Sequence, residues 1–135
     1  MRYNLELIHG LCDKWELYSN FKIDGLLAIE LCKDVALFFR NHPEEDDCLV
    51  GFEGAPWHAH GDFMFADSHG NDTEMDYLSV VSVLKDGLIL VGGQWLNGRL
   101  MDRWLIHRHY DDLFKFIDRG EEIRVFRPEL SSSTR

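Results

Sequence analysis

His58, His60 and Asp62 stand two residues apart in "GAPWHAHGDFMF", residues 54–65. On an extended strand that spacing puts all three side chains on one face. Imidazole is the commonest metal ligand, and a divalent ion needs three or four such donors converging. The chemistry would be Lewis-acid catalysis or an activated water, with Glu53 as base and with His69 or the pair His107-x-His109 completing the ligand set. A metal-dependent hydrolase built on His58, His60 and Asp62 is therefore one expectation. Against it, Pro56 and Gly61 flank the pair and interrupt a strand, and the chain has no HExxH and no CxxC. A divalent ion is accordingly the alternative, and no other cofactor is expected.

Other chemistries fare less well. The chain has no G-x-S-x-G nucleophile elbow. In "DSHGNDTEMD", Gly70 is fourth from Asp67 where a calcium-binding EF-hand needs its glycine sixth. Cys12, Cys32 and Cys48 are three, widely spaced, and fit no disulfide framework; Asp46 and Asp47 beside Cys48 oppose its thiolate. Trp57 sits in a Pro-Trp-His loop between acidic clusters and reads as an exposed anchor for a protein partner.

Charge separates the function classes. Twenty-four acids against 14 bases give a net charge of −10, which repels phosphate backbones and argues against nucleic acid. One group of acids is Glu44, Glu45, Asp46, Asp47 and Glu53; another is Asp62, Asp67, Asp72, Glu74 and Asp76. Such clusters solvate a loop or steer a basic partner. No apolar run approaches the ~20 residues of a membrane span, and "MRYNLELIHG" places acid and histidine where a signal peptide needs an apolar stretch, so a cytoplasmic setting is expected. The leading expectation is a small acidic protein-binding module for a basic partner. Inhibitor and immunity-type proteins share that physical character.

Apolar periodicity gives the elements that must position these residues. Residues 4–17 have helical spacing, and Asp24 is expected to N-cap a second helix over "GLLAIELCKDVALFFRNH", ended by Pro43. A loop carries the short strand "CLVGF"; "DFMFAD" alternates as a strand, and "SHGND" is a turn. "DYLSVVSVL", "LILVGGQWL" and "RLMDRWLIH" then read as a three-stranded meander, joined through Asp86-Gly87 and Asn97-Gly98, the pairs that two-residue hairpin loops demand. A short helix at 110–119 and an edge strand "EIRVFR" follow, within a single domain of residues 1–130 and a disordered tail at 131–135. Helices before a meander predict α+β, with N-terminal helices packed on one face of an antiparallel sheet.

In that meander Gly93 would face Asp102, with Trp95, Leu100, Trp104 and Ile106 on the same core face. The carboxylate then either caps a loop or anchors a ligand in the gap that Gly93 leaves. A homodimer through a self-pairing edge strand is also expected to be feasible, the alternative being that the arginines of "EIRVFR" guard that edge against pairing.

Overall fold

In a computed structural model, residues 1–66, 71–109 and 120–128 are described. The helix expected at 110–119 and the tail at 131–135 lie outside them. The protein is α+β with antiparallel sheets, but one N-terminal helix stands where two were expected. That helix, α1 (Leu5–Lys14), is N-capped by the Asn4 side chain, which accepts the Leu7 N–H, and buries Leu5, Ile8 and Cys12. Glu16, left-handed at φ 58°, turns the chain out of it.

The segment expected to be the second helix is a β-hairpin. Strands β1 (Ser19–Ile23), β2 (Leu26–Cys32), β3 (Val35–Asn41), β4 (Cys48–Phe52) and β5 (His58–Ala59) form one antiparallel sheet in chain order. Leu27, Ile29, Leu31, Leu37 and Phe39 recur every second residue and all are buried. That alternation faces one side of a strand pair and would leave a helix with two apolar sides. The turns fix it: Asp24-Gly25 joins β1 to β2, with Gly25 at φ 80°, and Lys33-Asp34 joins β2 to β3, with Asp34 at φ 64°.

"CLVGF" is β4 as expected, and "FMFA" is β6 (Phe63–Ala66), paired with β7 (Asp72–Met75) in a separate two-stranded sheet. The expected first meander strand is helical instead: a 3₁₀ turn (Tyr77–Ser79) leads into α2 (Val80–Asp86), whose Val80, Val81 and Leu84 are buried. Gly87 at φ 77° caps α2, its N–H reaching the carbonyls of Leu84 and Val83. Asp86-Gly87 therefore ends a helix and turns no hairpin.

The rest of the meander holds. β8 (Ile89–Leu96) and β9 (Arg99–His107) pair through a tight Asn97-Gly98 turn, φ 51° and 83°, and β10 (Glu121–Phe126) pairs with the other side of β8. A bulge between Gln94 and Trp95 shifts the register, so Trp95 faces Leu100 but Gly93 faces Arg103 and Gln94 faces Asp102. Ile89 and Val91 consequently share the core face with His107 and Leu105, while Trp104 and Ile106 take the opposite face. One core joins the inner face of the five-stranded sheet, α1, α2, β6 and β8.

Two glycines in β8 exist for two tryptophans. A Cβ on Gly92 would stand 2.5 Å from Trp104 Nε1, and one on Gly93 2.7 Å from the Trp95 ring. Gly92→Ala is expected to cost about 2 kcal/mol, as a large ring is forced off its seat. Gly10, helical and exposed with nothing within 4 Å of its Cβ position, should instead gain up to about 1 kcal/mol on Gly10→Ala. Urea titrations of both variants check the pair of opposite signs.

Candidate functional site

The structure gathers part of the expected site into one corner and takes the rest away. The corner begins at Asn41, the buried last residue of β3, whose side chain accepts the Tyr3 N–H at 2.8 Å and donates to the Tyr3 carbonyl at 2.9 Å. The next residues, 42–47, form the loop into β4 and carry Glu44, Glu45, Asp46 and Asp47, all exposed. His42 Nδ1 accepts the N–H groups of Glu44 and Glu45 at 3.1 and 3.0 Å. Arg2 donates to the carbonyls of His42 and Glu45, and the Met1 amino group lies 2.9 Å from Asp46 Oδ1. The loop's backbone is therefore braced at both ends, with the Glu44 and Glu45 side chains left in solvent.

His58 and His60 belong to the same corner. β5 pairs with β4, placing Gly51 opposite His58 and Val50 opposite Ala59. Both imidazoles lie on one side, ring centres 5.1 Å apart and 83° between their planes. His60 Nδ1 lies 3.0 Å from Asp47 Oδ1 and 2.9 Å from the Cys48 carbonyl, and His58 Nδ1 lies 3.1 Å from the Pro56 carbonyl.

Asp62 does not join them. Gly61, left-handed at φ 72°, turns the chain between His60 and Asp62, and Asp62 Oδ1 accepts the Tyr77 N–H at 3.0 Å. Asp62 thereby fixes the 3₁₀ turn before α2. Among the described residues no three His, Cys, Asp or Glu side chains converge as metal ligands. The expected His-x-His-x-Asp set is thus a pair of imidazoles and a structural carboxylate.

Trp57 is half-buried rather than exposed, its ring 6.1 Å from that of Phe52. It lies at the Phe52 end of β4, whereas the acids at 44–47 lie beyond the Cys48 end, so the two are separated along the strand. Asp72 and Glu74 are exposed on β7, where Glu74 stands opposite the exposed Met64.

The expected ligand gap at Gly93 and Asp102 is closed. The Trp95 ring occupies the space over Gly93, flanked by the Arg124 and Arg103 guanidiniums at 4.9 and 5.7 Å from its centre. Asp102 Oδ1 accepts the Trp57 N–H at 3.0 Å and the Arg103 N–H at 2.8 Å, tying β9 to the loop before β5. The carboxylate caps a loop, the first of the two roles open to it.

The sequence reading missed a surface. The outer face of the five-stranded sheet carries Leu26, Ala28 and Phe38, and two adjoining grooves of about 480 and 610 Å³ run over it, sharing Lys22, Ala28 and Glu53. Phe38 lies across Gly51, where a Cβ would be 3.2 Å from its ring. Tyr18 and Ile23 flank the grooves, 56% and 63% exposed. Even-numbered apolar residues at 26, 28 and 38 are its signal in the sequence, and helical spacing over the same segment hides it.

Burial perturbs three groups. It lifts the Tyr3 hydroxyl well above its ordinary range and pushes the Cys12 thiol up to about 11, and it lowers the Arg103 guanidinium. Comparison with known protein families finds no model that matches the chain, and comparisons with curated proteins and with solved structures find no match either.

Two outcomes follow from this geometry. Asp102→Ala should destabilise by about 2 kcal/mol by stranding the Trp57 N–H, while Asp102→Asn, which keeps an acceptor oxygen, should cost less; thermal denaturation of the two decides it. Cys12 holds its proton in the folded chain up to about 11 against 9.0 unfolded. Stability should therefore fall as pH rises through that window, where the unfolded chain has lost the proton and the folded chain has not. Cys12→Ala should flatten that part of a stability–pH curve.

Proposed function

We propose that this chain is a protein-binding module whose partner is basic, and that the loop at 42–47 is its principal contact. The observation that carries this reading is the braced loop: four successive acids on a backbone held by His42, Arg2 and the Asp47–His60 contact. Ordering a loop is a cost of association, and a loop ordered beforehand binds without it. The net charge of −10 extends the attraction beyond the contact itself and raises the encounter rate with a cationic partner. Glu74 and Asp72, with the exposed Met64 opposite Glu74, provide a second acidic surface on β7.

Inhibitors that neutralise a basic enzyme have this combination of small size, negative charge and rigid acidic loops, and that is the class of partner we favour. A cytoplasmic setting agrees with three cysteines that form no disulfide, two of them buried. No helix among the described residues is long and apolar enough to cross a membrane.

Immobilised full-length chain and its Glu44→Lys/Glu45→Lys variant, exposed to extract of the cells that make the protein, give the test. The expected result is a basic protein retained by the wild type, released between about 0.1 and 0.5 M salt, and lost by the variant. A partner whose binding ignores both salt and charge reversal overturns the reading.

A further inference from the structure

The two imidazoles of the corner are held in the form that binds a metal. A carbonyl oxygen only accepts hydrogen bonds, so the ring nitrogen facing it must carry the proton. His58 Nδ1 faces the Pro56 carbonyl, and His60 Nδ1 faces both the Cys48 carbonyl and Asp47 Oδ1. In the neutral form of each ring the proton is therefore on Nδ1 and the lone pair is on Nε2. A carbonyl or carboxylate behind Nδ1 is also what orients metal-ligating histidines and raises their basicity. Both rings are exposed, and no hydrogen bond among the described residues involves either Nε2.

The spacing agrees independently. With each imidazole nitrogen about 2.0–2.1 Å from a tetrahedral ion, two ring centres sit about 5 Å apart. The centres of His58, in β5, and His60, just past its end, are 5.1 Å apart. The geometry points to a two-histidine site for a divalent transition-metal ion, Zn²⁺, Ni²⁺ or Cu²⁺, bound through Nε2 of His58 and His60. Soft-to-borderline ions are selected because the ligands are neutral nitrogens, which discriminate against Mg²⁺ and Ca²⁺. Two protein ligands leave the remaining positions of the ion to water, so the site is open rather than closed and structural.

The other histidine pair supplies the contrast. His107 and His109 have ring centres 5.3 Å apart, but His107 is buried and its Nδ1 accepts the His109 N–H, while His109 Nε2 accepts from Arg108. Equal spacing comes there without two outward lone pairs. The site rests on neither the acidic loop's partner nor the reading given above, and it stands if no basic partner exists.

The test is titration of Zn²⁺ and Ni²⁺ into tag-free full-length protein, followed by calorimetry and by imidazole ¹⁵N resonances. One saturable site is expected, with the Nε2 signals of His58 and His60 moving. His58→Ala and His60→Ala should each weaken it about tenfold or more, and His107→Ala/His109→Ala should leave it unchanged. Should either alanine variant fail to fold, His58→Gln and His60→Gln remove the same ligand with less loss of volume. Failure to saturate, undiminished affinity in these variants, or resonance changes centred on any other histidine overturns the proposal.

Discussion

The reciprocal pair of hydrogen bonds between the Asn41 side chain and the Tyr3 backbone fixes the corner that carries the acidic loop and the histidine pair. Asn41 is buried at the end of β3, and its amide offers Tyr3 what a neighbouring strand would: one acceptor and one donor. Losing either partner leaves a buried polar group unpaired, which costs more than the bond itself supplies. Tyr3 is thereby pinned with its ring against Phe39 and Tyr77, at 5.0 and 4.7 Å, and its hydroxyl donates to the Gly61 carbonyl. Tyr77 accepts the Asn4 N–H on its own hydroxyl and gives its backbone N–H to Asp62. One network so joins the first residues, the end of β3, the turn after β5 and the entry to α2. The acidic loop leaves from Asn41 and the histidine strand arrives at Gly61, so both inherit their positions from it.

A second joint locks the sheets to each other. Asp102 on β9 holds the backbone of Trp57, and Trp57 packs on Phe52 of the five-stranded sheet. The carboxylate needs no cation here, because two N–H donors satisfy one of its oxygens while the other stays near solvent. Beyond it, Gly92 and Gly93 let the sheet accept two indoles flat against its backbone, one on each face. The same bulge that displaces Gly93 from Asp102 brings Trp104 opposite Gly92. A site that looked like a vacancy in the sequence is a packing solution in the fold.

What could be read from the sequence depended on how many physical meanings a signal had. Asn97-Gly98 between two alternating strands has one, and its hairpin was legible. Asp-Gly has two: at 24–25 it turns a hairpin, and at 86–87 its glycine caps a helix. The apolar spacing of residues 27, 31, 35 and 38 satisfies a helix, but the alternation 27, 29, 31 and 37, 39 satisfies a strand pair. The left-handed Asp34 that decides between them leaves no mark in composition. The bulge at Gln94 was equally silent, since one extra residue moves every later side chain to the other face without changing the pattern. Of the candidate site, the acids and the His-x-His pair were visible as residue types. Their separation from Asp62 depends on the backbone sign at Gly61, and the outer groove depends on β2 and β3, whose spacing also fits a helix.

His60 links the two surfaces of the corner because its ring has two nitrogens with separate tasks. Nδ1 holds the acidic loop through Asp47 and closes it against β4 through Cys48. Nε2 makes no hydrogen bond among the described residues, and the His58 ring centre lies 5.1 Å from that of His60. A metal ion bound at Nε2 would draw electron density from the ring and make the Nδ1 proton a stronger donor to Asp47. The loop and the imidazole pair are thus one electrostatic unit, in which the protonated face of a ring organises carboxylates and its unprotonated face meets solvent. The backbone achieves this in a short stretch: β5 carries His58, His60 follows it directly, and left-handed Gly61 turns the chain before Asp62.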